Sequence, residues 1–243
     1  YCMLPEKSIL LLFRYGYDNN ILSTYICSMP IQNSRDFFEK LEMRLKQPLP
    51  GLNVQKEMSA YPRGKTGIDF NFDGQPKESS VLIVLFESKG DIYFPLIQRP
   101  LYTGVHSGQI GLPGGKVEEH DKDRIDTALR ETEEEIGVRA SEIKVLGKLT
   151  ELYVQASHYN VMPVVGHLPY QPQYIPDPEE VSRVIEGGVN DLISDEKRKV
   201  KELLIRNKYK IMAPYFDIKN EIVWGATAMM LNEFSVILKE IIE

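Results

Sequence analysis

The chain has 243 residues, of which 42% are apolar and 26% are charged, a composition typical of a globular protein with a sizeable hydrophobic core. Its net charge of −6 argues against a nucleic-acid-binding surface, which would need an excess of basic residues. Two cysteines, Cys2 and Cys27, provide no disulfide framework, so we expect a reducing, cytoplasmic location. No apolar run approaches the roughly 18 residues of a membrane helix, and we expect no membrane partner.

The N-terminal part of the chain divides at Met29. Residues 1–28 contain no functional motif, and we interpret them either as an N-terminal extension or as an upstream reading-frame artefact. In both cases we expect them to be dispensable for folding and activity. Residues 29–243 are expected to form a single domain. This domain begins with a predicted helix, because Ser34 is a suitable N-cap and the apolar residues after it have helical spacing.

Predicted strands and helices alternate along the rest of the chain. Two β-branched runs flank Ser88-Lys89-Gly90-Asp91 and predict a β-hairpin. The other predicted elements are strands at 109–112, 142–149, 160–168, 208–216 and 221–224, a strand with a short helix at 179–196, and helices at 123–136 and 225–242. This order indicates one α/β domain with a mixed sheet.

The second predicted helix carries a dense group of acidic side chains near its end. With about 100° of rotation per residue, Glu134 and Glu135 both lie within about 60° of Glu131. Glu133 lies on the other side, and Arg130, one turn before Glu134, can orient it. Carboxylates this close repel one another, and a hard cation such as Mg²⁺ would neutralise them. A solvated charged face is the alternative, although no Lys lies within the group to balance it.

Two glycines, Gly114 and Gly115, precede this helix. A Gly-Gly pair allows a tight turn and lets the backbone approach a ligand closely, so that carbonyl oxygens can contribute to a site. A glycine turn alone is a weak signal. Followed by an acidic helix and then by Gly137, it is a strong indication of a binding site.

These residues resemble the Nudix box, a Gly…Glu…Arg-Glu-x-x-Glu-Glu-x-Gly-apolar pattern, and the matching positions are Gly115, Arg130, Glu131, Glu134, Glu135, Gly137 and Val138. The resemblance implies an α/β/α sandwich with a mixed sheet, in which a catalytic loop–helix–loop holds Mg²⁺ or Mn²⁺. It also implies hydrolysis of a nucleoside diphosphate linked to another group. The three glutamates on one helix face are then the expected metal ligands, and Gly115 contributes through its backbone.

The box is longer than usual, since fourteen residues separate Gly115 from Arg130, one more than in the general pattern. Asp121 or Lys122 falls at the position of the first box glutamate. The longer spacing is similar to that of the coenzyme A diphosphatases within the family. These enzymes have a second signature, a Leu-x-x-Arg element followed by Gly-Gln-Ile-x-Phe-Pro-Gly-Gly.

The corresponding stretch here is LIQRPLYTGVHSGQIGLPGG, and its matching positions are Arg99, His106, Gly108, Gln109 and Ile110. It departs from the signature at Pro100, where a small hydroxyl residue is common, and at Leu112, where Phe is usual. These departures affect the identity of the substrate more than the class of reaction.

The resemblance also assigns substrate contacts, which are Arg99, His106, Gln109 and Gly114. Arg99 suits a phosphate group because a guanidinium binds phosphate oxygens in a fork. For His106, an ordinary structural hydrogen bond within the loop is the alternative.

A loop carboxylate outside the box often helps to orient the attacking water in Nudix enzymes, and Glu179 and Glu180 offer one here. The expected base is Glu134 or Glu180. Arg130 is the third expected catalytic residue, because it can orient Glu134.

The resemblance therefore implies a metal-dependent hydrolase for a small nucleotide, with coenzyme A or acyl-CoA cleaved to 3′,5′-ADP and (acyl-)4′-phosphopantetheine. Two alternatives stay open. One is a Nudix hydrolase for ADP-ribose or NADH. The other is a catalytically silent Nudix domain that binds a nucleotide, although the intact acids and the lack of a basic helix-turn-helix argue against it. The assembly state stays open between a monomer and a homodimer.

Overall fold

The structure is a computed structural model, described here for residues 34–62, 74–103, 106–205 and 209–242. In these ranges helices alternate with strands, and the larger sheet is mixed, which confirms the predicted α/β class. The predicted extension, residues 1–28, lies outside the described residues, and the domain boundary at residue 29 stays a prediction. Within the described ranges, no helix is both long enough and apolar enough to cross a bilayer.

The described residues form twelve strands: β1 (Tyr61–Pro62), β2 (Lys77–Ser88), β3 (Asp91–Gln98), β4 (Ile110–Gly111), β5 (Gly114–Lys116), β6 (Lys144–Lys148), β7 (Leu152–Val154), β8 (Tyr159–His167), β9 (Arg183–Gly188), β10 (Arg198–Ile205), β11 (Tyr209–Ile218) and β12 (Glu221–Trp224). They also form five α-helices: α1 (Ser34–Leu45), α2 (Leu52–Lys56), α3 (Arg124–Ile136), α4 (Val189–Ile193) and α5 (Gly225–Ile242).

The larger sheet is built around β2. This strand forms the predicted antiparallel hairpin with β3, and the turn residues Lys89 and Gly90 have φ values of 55° and 85°, as tight hairpin turns require. β2 also pairs in parallel with β8, which makes the sheet mixed. Its strand order is β4-β3-β2-β8-β6, with β5 paired to β2, β7 to β8 and β9 to β3.

Helices cover both faces of this sheet. On β2, Ile83 and Leu85 belong to the apolar cluster that contains the buried residues of α1 and α5. Leu82, Val84 and Phe86 point the other way and share a cluster with buried residues of α3. A strand that is buried on both faces has a nearly continuous apolar sequence, and SVLIVLF in β2 shows this pattern. The arrangement is the expected α/β/α sandwich.

The smaller sheet has the order β1-β11-β10, with β12 also paired to β11. The sequence does not predict β10, because three basic residues interrupt the apolar pattern of RKVKELLI. It does not predict α2 either, a helix of only five residues.

A buried carboxylate connects α2 to α5. Glu233 is fully buried and accepts hydrogen bonds from the Gly51 amide, the Gln55 side chain and both the amide and hydroxyl of Thr150. These neutral donors stabilise a charge that burial would otherwise disfavour. The network fixes α2 and the β6–β7 connection to the C-terminal helix.

Candidate functional site

The two ends of α3 set the helical phase of its acidic side chains. At the start, the Asp123 carboxylate accepts hydrogen bonds from the Ile125 and Asp126 amides at 2.8 and 2.9 Å, a typical N-cap. At the end, Gly137 adopts the left-handed conformation with φ of 72°, and its amide donates to the Glu133 carbonyl. The helix thus begins one residue later than the sequence predicts and ends as expected.

Three carboxylates converge beside α3. Glu131 and Glu135 come from the helix and are buried, whereas Glu180 comes from the loop between β8 and β9 and is exposed. One oxygen from each of these three side chains lies within 4.8 Å of the others. Among the described residues, this is the group of acidic, histidine or cysteine side chains that could hold a metal ion.

The glycine pair predicted from the sequence forms the wall opposite these acids. Gly114 has φ of 146°, and its amide donates a 2.8 Å hydrogen bond to Glu135. A side chain at Gly114 would collide with the backbone of Ser80 and Val81. At Gly115, a Cβ atom would collide with the carboxyl group of Glu131. Gly114 therefore admits no side chain, and a side chain at Gly115 would displace the Glu131 carboxylate, so the backbone here lies directly against the carboxylates.

Burial dominates the electrostatics of the two helix acids. It raises the pKa of Glu135 to about 8, although the nearby Arg99 guanidinium, 3.7 Å from Glu135 Oε1, opposes the shift. Burial also raises the pKa of Glu131, against the hydrogen bond and charge of Arg130. Divalent cations bind the ionised form of a carboxylate, and a cation would favour ionisation of both groups.

Arg130 is held by Asp121, whose side chain is fully buried. The guanidinium donates from Nε and Nη2 to the two carboxylate oxygens at 2.8 and 3.0 Å. This pairing holds the pKa of Asp121 well below its usual range and raises that of Arg130. The sequence leaves Asp121 and Lys122 open at this position, and the structure places Asp121 there. From this anchor, Nη1 of Arg130 donates to Glu131 at 3.0 Å and to Glu134 at 2.7 Å.

The structure separates Glu134 from the other two helix acids. Its side chain is 56% exposed, and the group of converging carboxylates found among the described residues does not include it. Glu134 is therefore on the rim, where Arg130 orients it as the sequence predicts. Glu133 lies elsewhere, and its carboxylate accepts a hydrogen bond from the Ala140 amide.

The signature loop between β3 and β4 ends beside the glycine pair. Its stem is closed by backbone bonds from the Arg99 amide to the Gln109 carbonyl and from the Gly108 amide to the Pro100 carbonyl. Nη2 of Arg99 reaches the Gly114 carbonyl at 3.3 Å, so Arg99 lies at the site. Nδ1 of His106 is 3.1 Å from Oε1 of Gln109, which is a local contact within the loop.

Comparisons with known proteins agree on one family. Residues 76–201, slightly more than half of the chain, match the family model described as the NUDIX domain. Over 164 residues the chain is 38% identical to Nudix hydrolase 22, chloroplastic, of Arabidopsis thaliana, covering 65% of this chain and 54% of that protein. Nudix hydrolase 15, mitochondrial, of the same plant is also 38% identical over 164 residues, covering 65% and 57%.

A bacterial relative matches over a shorter stretch. An uncharacterized Nudix hydrolase, NudL, of Yersinia pestis (strain Pestoides F) is 31% identical over 141 residues, covering 58% of this chain and 69% of that protein. The chain spans little more than half the length of the two plant relatives.

The close approach of Gly115 to Glu131 can be tested by adding a methyl group at position 115. Replacing Gly115 with Ala should displace the Glu131 carboxylate and weaken Mn²⁺ binding by about 10–100-fold, the range typical of changes next to a metal ligand. The matched control is Gly111→Ala, because a Cβ atom there would lie an ordinary 3.7 Å from Thr227 Oγ1. Calorimetric titration with Mn²⁺ measures both variants. Equal affinities for Gly115→Ala and wild type would contradict the close approach.

The raised pKa of Glu135 predicts a pH dependence. Between its ordinary value of 4.5 and about 8, the folded metal-free protein binds more protons than the unfolded chain, so its free energy of unfolding should fall as pH rises. Mn²⁺ affinity should rise over the same range and level off above about pH 8, because the cation competes with the proton. Chemical denaturation and Mn²⁺ titration at several pH values measure the two trends. The fall in the free energy of unfolding with pH should be smaller in Glu135→Gln. A Mn²⁺ affinity that does not change with pH would count against Glu135 as the group at which proton and cation compete.

Proposed function

The chain belongs to the Nudix family, and from this premise we propose that it is a metal-dependent diphosphatase that cleaves coenzyme A or acyl-CoA to 3′,5′-ADP and (acyl-)4′-phosphopantetheine. The convergence of Glu131, Glu135 and Glu180 carries the proposal for the reaction class. The relatives' names, which contain the word hydrolase, agree with that class. The longer box and the signature loop support coenzyme A as the substrate.

The donor set suits Mg²⁺ or Mn²⁺. Three carboxylates supply the oxygen ligands that hard cations prefer, and the group includes no sulfur or imidazole. Two of these acids are buried and have raised pKa values, so their ionised forms need a positive partner. We propose that Glu131, Glu135 and Glu180 hold the cation, with Glu134 as a further ligand or a base at the rim.

A bound divalent cation supplies a Lewis acid that lowers the pKa of a coordinated water and offsets negative charge on the phosphoryl oxygens. The protein supplies the frame for this chemistry. The Gly114 amide orients Glu135 through its hydrogen bond, and Arg130 holds Glu131 from the other side. Arg99 is 32% exposed beside Glu135, and we propose that it binds a phosphate oxygen of the substrate.

A base must accept the proton of the attacking water. Glu134 and Glu180 are the candidates because both are exposed near the buried acids. Arg130 donates to Glu134 and can fix its orientation, whereas Glu180 belongs to the group of three converging carboxylates. We propose that His106, Gln109 and Gly114 contact the substrate, which places the signature loop over the diphosphate.

The cellular setting is also part of the proposal. A small nucleotide is the proposed partner, and a homodimer stays a prediction. The cytoplasmic location stays a prediction too. The names of the two plant relatives contain the words chloroplastic and mitochondrial, so an organelle interior is the alternative compartment to test.

The substrate is tested by incubating the protein with Mg²⁺ or Mn²⁺ and, separately, with coenzyme A, dephospho-coenzyme A, ADP-ribose or NADH, followed by chromatography of the products. We expect coenzyme A to be cleaved with the highest kcat/KM and dephospho-coenzyme A to be cleaved less well, because a site built for the 3′-phosphate leaves a cation unpaired without it. Faster cleavage of ADP-ribose or NADH would reject coenzyme A and keep the family. No cleavage with either metal would favour a silent nucleotide-binding domain.

The helix positions predict different effects of neighbouring glutamates. Glu134→Gln and Glu135→Gln should lower kcat by about 10²–10⁴-fold, the range for loss of a base or a charge-stabilising group. Glu133→Gln is the matched control, because the amide oxygen can still accept from the Ala140 amide, and it should be close to neutral. Steady-state kinetics with the best substrate measure all three. Equal losses at positions 133 and 134 would rule out this assignment of helix faces.

A further inference from the structure

The loop between β8 and β9 is attached to the C-terminal end of α3. Backbone carbonyls in the last turn of a helix lack partners within the helix. Here the Ile175 amide donates to the Ile136 carbonyl, and the Asp177 amide donates to the Glu135 carbonyl, both at 3.0 Å. The loop that carries Glu180 is thus bonded through Asp177 to the backbone of Glu135. The side chain of Glu135 belongs to the group of three converging carboxylates.

Close packing supports this attachment. A Cβ atom at Gly137 would lie 2.8 Å from the Cβ atom of Ile175, so the loop contacts the end of the helix where only glycine fits. On the other side of the turn lies Val181, which is 2% exposed and belongs to the apolar cluster under α3. Both ends of the turn that carries Glu180 are therefore fixed.

Asp177 also organises the turn itself. Its Oδ1 accepts a 2.9 Å hydrogen bond from the Glu179 amide, the arrangement of an Asx turn. Its backbone carbonyl accepts from the Glu180 amide at 3.2 Å and from the Val181 amide at 2.8 Å. Pro178, between these residues, has a restricted φ and limits the alternatives open to the turn.

We propose that Asp177 is a positioning residue that fixes Glu180 beside Glu131 and Glu135. Its amide joins the loop to α3, its carboxylate accepts from the Glu179 amide, and its carbonyl accepts from the Glu180 and Val181 amides. Glu180 is exposed and would otherwise sample many backbone and side-chain conformations, which would weaken its contribution to a metal site. Through these contacts Asp177 restricts the backbone at Glu180 before a cation binds. The inference rests on the proposed function, because it assumes that the carboxylate group binds a metal.

The experiment is a double-mutant cycle between positions 177 and 180 in the full chain. Mn²⁺ affinity of the metal-free protein is measured for wild type, Asp177→Ala, Glu180→Gln and the double variant, by the electron paramagnetic resonance signal of free Mn²⁺. Asp177→Ala should weaken binding by about 10–100-fold, as is typical for residues that orient a metal ligand. In the Glu180→Gln background the same substitution should have little further effect, since its target is already lost.

A conservative series distinguishes positioning from general loss of structure. Asp177→Asn keeps an oxygen that accepts from the Glu179 amide and should bind Mn²⁺ nearly as well as wild type. Asp177→Ser can form a weaker version of the same turn and should be intermediate. If Asp177→Ala does not fold, the comparison of Asn and Ser still tests the proposal. Thermal melts of each variant report folding.

Two results would overturn the proposal. One is an Asp177→Ala loss that is just as large in the Glu180→Gln background. The other is a folded Asp177→Ala protein with the Mn²⁺ affinity of wild type. Failure of the substrate assignment gives a different pattern, in which the cycle shows coupling but coenzyme A is not hydrolysed. Absence of Mn²⁺ binding in wild type would reject the proposed metal centre, and this inference with it.

Discussion

The close approach of one glycine pair to two glutamates determines the geometry of the candidate site. Gly114 and Gly115 bring the backbone of β5 against α3, where side chains at either position would collide with their neighbours. Because β5 is paired to β2, the central strand of the sheet, this wall cannot move without disturbing the core. The Gly114 amide then holds Glu135, and the small volume at Gly115 admits the Glu131 carboxylate. The geometry of the proposed metal site is thus a consequence of how tightly a helix packs on a sheet.

The charges around this packing do not balance, and that imbalance is the strongest physical argument for a cation. Arg130 is shared among three carboxylates, and its shortest pairing with a buried partner is to Asp121, outside the group. Arg99 is 3.7 Å from Glu135, a distance too long for a direct hydrogen bond. The protein therefore leaves three converging acids with incomplete compensation, and burial raises the pKa of the two helix members. A proton on Glu135 relieves this below about pH 8, and a divalent cation would relieve it by taking the place of that proton.

The sequence predicts the elements more completely than the site. Periodicity is enough for the β2–β3 hairpin and for α3, because local spacing alone determines which faces are apolar. It places Glu134 with Glu131 and Glu135, since all lie within one half of the helix. The exposure of Glu134 results from tertiary packing, because β5 covers the side of α3 that carries Glu135 and leaves Glu134 uncovered. The pairing of Asp121 with Arg130 depends on how the longer box loop folds back to the helix, and sequence spacing alone does not predict that fold. Glu180 is distant in sequence, and only the family resemblance indicates it.

Holding three acids close together destabilises the metal-free protein, because their charges repel one another. Packing and backbone hydrogen bonds oppose this repulsion. Repulsion between Glu131, Glu135 and Glu180 favours separation, yet two of them are held by α3 against the glycine wall and the third is carried by a loop bonded to the end of that helix. A ligand that binds only the folded state adds to its stability by mass action. Metal binding should then stabilise the β8–β9 loop and α3 together, because the Glu135 carbonyl joins them. The same bond that positions the third acid therefore makes the loop and the helix respond to the metal as one unit.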